Sequence, residues 1–182
     1  MSKLFPRQTP LHHRAKRRMT LLTNALGATL LIGMQVVAPT FNQYAVELYS
    51  GATRMPRGIS LDDSGVWRDS AGKAVTRPGI NFAGKYYVGT HSCGTGCRFY
   101  SLTDLTTGAD LTALDMFAST EPPPATQEGY PYVTYLEFRS DSRLLIAHYV
   151  IAGPIADLCR ERAFLLKGTS VSAVAGTRNV SC

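Results

Sequence analysis

Residues 143–151 read RLLIAHYVI, and this run decides the fold class. In a strand, successive side chains point to opposite faces. Leu144, Ile146 and Val150 then share one face, and Leu145, Ala147, Tyr149 and Ile151 share the other. Both faces are apolar, which predicts an interior strand covered on both sides. Before it, residues 140–142 (SDS) predict a tight turn from a strand over 133–138 (VTYLEF). After it, residues 163–166 (AFLL) and 171–174 (VSAV) predict a terminal hairpin turning over 167–169. Upstream, residues 85–90 (KYYVGT) and 98–103 (RFYSLT) are rich in the aromatic and β-branched residues that suit a half-buried pleated surface. Residues 105–108 (LTTG) predict the hairpin turn that follows them. Two turn-like stretches, 62–65 (DDSG) and 69–72 (DSAG), bracket a short strand at Val66 and Trp67. The expectation is a mainly β chain: one compact antiparallel β domain of about six to eight strands over residues 59–182. Burial should peak at Phe138, Leu144, Leu145 and Ile146.

Between these strands, residues 118–131 read ASTEPPPATQEGYP. Pro122, Pro123 and Pro124 exclude helix and predict an extended, solvent-exposed excursion. Leu111 to Phe117 has room for a helical turn or two.

The N-terminal third has a different character. Residues 1–38 hold six basic residues (Lys3, Arg7, Arg14, Lys16, Arg17 and Arg18) and no Asp or Glu. The chain has 19 Lys and Arg against 13 Asp and Glu, so residues 39–182 carry 13 of each and no net charge. That balance argues against a nucleic-acid binder, which needs a positive field to neutralise phosphate. Residues 1–18 predict a basic cytoplasmic tail. Residues 19–38 (MTLLTNALGATLLIGMQVVA) are uncharged and predict a membrane-spanning or signal helix. A cleavage site is poorly written there: VVA at 36–38 precedes Pro39. The reading favours an uncleaved anchor over a cleaved signal, with the basic tail inside. The domain then sits in the periplasm, tethered to the inner membrane through residues 19–38, or is secreted or periplasmic after cleavage. Residues 39–58 predict a linker.

Cys93, Cys97, Cys159 and Cys182 all follow the apolar run. An even count beyond an export segment fits disulfides formed in an oxidising compartment. Pairing Cys93 with Cys97 and Cys159 with Cys182 is favoured because each closes a local loop. Around the first pair, residues 93–97 read CGTGC, with Gly94 and Gly96 relieving the backbone of a tight ring and Thr95 at its tip. A stapled turn is the plainest account. A redox pair, a zinc site drawing on His91, Cys159 or Cys182, and an anion-binding nest of backbone N–H groups are the alternatives. Neither cofactor nor metal is called for. His91 beside Cys93, and His148 in the central strand, are the candidates for hydrolytic chemistry, although no third orienting group is evident.

The motifs NFAGKY (81–86), CGTGC (93–97) and DLTTG (104–108) occur together, followed by DSRLL at 141–145 and the late Cys159. In this the chain resembles a family of exported bacterial β-rich proteins of unassigned function, over roughly residues 78–168. The resemblance implies a compact secreted or lipid-anchored β domain. It implies no activity and no catalytic residues, and Cys182 is an addition to its pattern. The expected function is therefore a non-enzymatic periplasmic binding module that recognises a protein partner or an envelope component. It would act as an accessory of an envelope machine or an inhibitor of a periplasmic toxin. Its expected surface is Gly94, Thr95, Gly96, Pro122, Pro123, Pro124, Tyr130 and Tyr132. A redox or hydrolytic enzyme using Cys93 and Cys97, or His91 and His148, is the alternative. A structural accessory is the third reading.

Overall fold

The structure, a computed structural model, describes residues 38–182. The expected basic tail and, apart from Ala38, the expected apolar helix lie outside them. Ten strands follow one another: β1 (Ser60–Leu61), β2 (Trp67–Arg68), β3 (Tyr86–Gly94), β4 (Cys97–Asp104), β5 (Ala109–Leu111), β6 (Tyr132–Phe138), β7 (Leu144–Ile151), β8 (Leu158–Lys167), β9 (Ser170–Ala173) and β10 (Arg178–Val180). All pairings are antiparallel. Among the described residues the helical content is two short 3-10 turns, Phe41–Tyr44 and Asp115–Phe117.

Ten strands exceed the six to eight expected. β1, β5 and β10 span two or three residues, too few to show alternation; β5 and β10 are defined by the longer strands they lie against, and β1 by its pairing with the equally short β2. β8 also starts five residues before the apolar run that signalled it, because Leu158 to Arg162 pair with β7 despite their charge.

The five-stranded sheet runs β10-β8-β7-β6, with β9 also on β8. β7 is interior, as its two apolar faces required. The three-stranded sheet runs β3-β4-β5. Tyr86 and Val88 of β3 and Tyr100 and Leu102 of β4 meet Leu145 and Ala147 of β7 and Phe164 and Leu166 of β8 in the main core. Phe117 closes it with its ring edge-on to Phe164. A second cluster covers the other face of β7, where Leu144 and Ala163 pack on Phe41. Leu144 and Leu145 are fully buried. Ile146 and Phe138 are only half-buried, because the second cluster covers just one end of that face and β6 is an edge strand.

Residues 39–58, expected as a linker, are tied to the domain. The Ser142 hydroxyl donates to the Phe41 carbonyl at 2.8 Å. Backbone N–H groups of Val46, Tyr49 and Arg54 donate to Asp141, Gly84 and Leu105. Gly84 has φ +80°, and a Cβ there would lie 2.4 Å from the Glu47 carbonyl oxygen, so this contact requires glycine.

Candidate functional site

The expected disulfides are both present, Cys93–Cys97 and Cys159–Cys182, each with Cα atoms 5.1 Å apart. They are compatible with an extracytoplasmic location. The first staples the β3-β4 hairpin, and Gly94 and Gly96 take positive φ as the ring demands. Thr95 is exposed at its tip. A Cβ on Gly96 would come 3.9 Å from Val133, which puts this turn beside the start of β6. Next to it, the Arg98 guanidinium lies 3.8 Å over the Tyr135 ring.

The 118–131 excursion reaches the same end of β6. Pro122 and Pro123 are exposed. The Pro124 carbonyl accepts from the Tyr132 N–H at 2.9 Å, so Pro124 extends the edge of β6 rather than projecting from it. Tyr130 and Tyr132 are half-buried, and Tyr132 packs edge-on against Tyr149 at 5.5 Å. The most exposed apolar residue here is one the sequence reading passed over. Ile155, at the tip of the β7-β8 loop, is 98% exposed, and Leu158 is 47% exposed. Ala152 N–H donates to the Pro131 carbonyl at 2.9 Å, linking this loop to the excursion. The available signal was an isoleucine within AGPIAD at 152–157, where turn chemistry calls for polar residues.

His148 is a half-buried residue on the outer face of the five-stranded sheet. Its Nε2 lies 3.1 Å from Glu137 and its Nδ1 3.9 Å from Glu161. No nucleophile completes that group, and the structure does not bring His148 and His91 together: they belong to different sheets.

His91 sits in a different setting. It is 6% exposed, on the face of β3 opposite the core. Its Nδ1 is 2.9 Å from Asp69 Oδ2, and its Nε2 is 2.9 Å from the Ser101 hydroxyl. Strand pairing explains the placement. Gly89 lies opposite Ser101 and His91 opposite Phe99, so His91 and Ser101 are diagonal neighbours on one face. A Cβ on Gly89 would come 2.6 Å from Ser101 Oγ and 2.9 Å from His91 Nε2, so only glycine leaves room for the bond. Phe99 stacks on the imidazole at 4.6 Å.

Asp69 is held from the other side. Its Oδ1 accepts from the N–H groups of Ala71 and Lys73, which caps the turn after β2. Burial alone would raise its pKa, but hydrogen bonds from His91, Lys73 and Ala71 outweigh burial and keep the carboxyl below the ordinary range. Asp69 is the orienting group that was not evident in the sequence. A cleft of about 180 Å³ opens over this trio, lined by Arg57, Ile59, Phe99, Ser101 and Asp110 among others.

The densest sequence motifs have architectural roles. Asn81 accepts from Val88 N–H and donates to its carbonyl, bracing β3. Phe82 is fully buried. Asp104 caps the 105–108 turn through Thr106 and pairs with Lys85 at 2.6 Å.

Compared with protein-family models, curated proteins and solved structures, the chain matches none. Function must therefore be argued from these sites. Among the described residues no helix is long and apolar enough to cross a membrane.

Proposed function

We propose that the domain is a periplasmic binding module, tethered to the inner membrane through residues 19–38, that recognises a protein partner or an envelope component. One observation carries this reading: Ile155 stands almost wholly in solvent on a short loop that is locked in place. Gly153 allows the tight return, since a Cβ there would lie 2.4 Å from the Ala156 carbonyl oxygen. The Pro131 carbonyl holds one side of the loop, and Cys159–Cys182 staples the strand on the other. Leu158 continues the apolar surface, and Pro122 and Pro123 stand in solvent on the excursion that Ala152 touches through Pro131. A rigid apolar knob loses little entropy on association and gains by leaving water. The charge balance of residues 39–182 and the two disulfides agree with such a role.

The test is a photo-crosslinking residue placed at 155 in the full-length chain, with one at 168 as control. Expected is a discrete adduct from position 155 alone. It should be lost on deletion of residues 119–129 and retained in the His91→Ala, His148→Ala double variant. No adduct at 155, or an adduct that the histidine changes remove from a folded domain, would overturn the reading.

A further inference from the structure

We propose that Ser101 is an activated nucleophile, with His91 as its general base and Asp69 as the residue that orients His91. Its substrate would be a small acyl ester bound in the cleft beside Arg57. This site is separate from the Ile155 surface and does not rest on it.

Three observations converge on this assignment. The hydroxyl, the imidazole and the carboxylate are joined in series, each link 2.9 Å, within the range for proton transfer. The neighbours fix the roles. Asp69 accepts two backbone N–H bonds on Oδ1 and stays ionised, so Nδ1 carries the proton and Nε2 is left to accept from Ser101. Finally, all three residues line the cleft, and Ser101, half-buried, is the most exposed of them, Asp69 and His91 being buried. A clamp serving only to hold the 54–76 segment on the sheet would need Asp69 and His91. It would not need a serine at the mouth, nor a glycine opposite it.

The step balances with water as the second reactant. Ser101 Oγ attacks the ester carbonyl carbon, its proton passes to His91 Nε2, and the carbonyl electron pair moves onto oxygen. Arg57 lines the cleft and has no carboxylate partner among the described residues, so its charge is free to face that oxygen. Collapse expels the leaving alkoxide, which takes the proton from Nε2 and departs as an alcohol. Water then attacks the acyl-serine, giving its proton to Nε2, and Ser101 leaves with that proton as the carboxylic acid is released. Ile59 and Phe99 offer the acyl group an apolar wall. The cleft volume suits a short acyl chain and not a polymer segment.

The experiment treats the purified full-length chain with a fluorophosphonate, which phosphonylates an activated serine with loss of fluoride, and maps the adduct by mass spectrometry. Expected is stoichiometric labelling at Ser101, none at the exposed Ser92, and no label in Ser101→Ala. Asp69→Asn keeps a side-chain oxygen for the turn and presents an N–H to His91, forcing the other tautomer. It should slow labelling by roughly a thousandfold or more with the near-ultraviolet circular dichroism unchanged. A folded wild-type chain that is not labelled at Ser101 would overturn the proposal. So would labelling that proceeds equally fast in Asp69→Asn.

Discussion

Two aspartate-capped turns, one after β4 and one after β2, both reach β3 and end differently there. At each, an aspartate spends one carboxylate oxygen on the turn that follows it: Asp104 on Thr106, Asp69 on Ala71 and Lys73. At each, the other oxygen faces a basic group from β3 or the residue before it: Lys85 for Asp104, His91 for Asp69. Burial opposes ionisation of both carboxyls, and hydrogen bonds overcome it at both, holding them below the ordinary value of 3.8. The difference is the partner. An ammonium ends the chain of hydrogen bonds in solvent, and Lys85 is pushed up by Asp104 and stays charged. An imidazole has a second nitrogen, and here it reaches a hydroxyl. One device therefore gives a structural corner with lysine and a chemically poised one with histidine.

Removal of the two carboxylates should have the largest effect. Asp69→Ala and Asp104→Ala each take away turn caps and strand a basic group, and each should cost about 2–3 kcal/mol in chemical denaturation. If Asp69→Ala were nearly neutral, the two corners would not share a design. Next is Gly89→Ala, which pushes a methyl between Ser101 Oγ and His91 Nε2. It should cost about 1–2 kcal/mol by overpacking and abolish serine labelling. The Asp104 corner has no position with that double effect.

Titration separates the corners on the basic side. The stability contributed by either depressed carboxyl is complete above the ordinary value of 3.8 and is lost as pH falls through its folded value. Lys85 is raised above its ordinary 10.5, so its contribution is complete below that pH and is lost as pH rises through the raised value. Its side chain is 41% exposed, so the alkaline loss should be small, under about 1 kcal/mol. It should vanish in Asp104→Asn and survive in Asp69→Asn. Smallest of all, Asp69→Asn itself should cost under about 1 kcal/mol, since Asn caps a turn nearly as well.

The sequence shows the fold wherever alternation runs long enough. Leu144 and Leu145 are buried on opposite faces of β7 as their run required, while β1, β5 and β10 are too short to carry any period. The surface proposed for binding was half legible. Proline chemistry marked Pro122 and Pro123, but Ile155 lay inside a turn. The polar corner was hidden for a different reason. Turn chemistry already accounts for Asp69 within residues 69–73, leaving no surplus to suggest a second bond. Ser101 is an ordinary small residue in a strand. They stand 22 and 10 positions from His91, and only strand pairing unites them. The usable trace was the alternation itself. Gly89 and His91 of β3, with Ser101 and Thr103 of β4, set small and polar residues on the face opposite the core face of Tyr86, Val88, Tyr100 and Leu102.

The most direct measurement is the nitrogen-15 resonance pattern of the His91 ring at a pH where it is neutral. The account predicts Nδ1 protonated, with its proton strongly deshielded by the Asp69 carboxylate, and Nε2 bare and sensitive to Ser101→Ala. A ring protonated on Nε2, or one whose Nε2 shift is indifferent to Ser101→Ala, would contradict it.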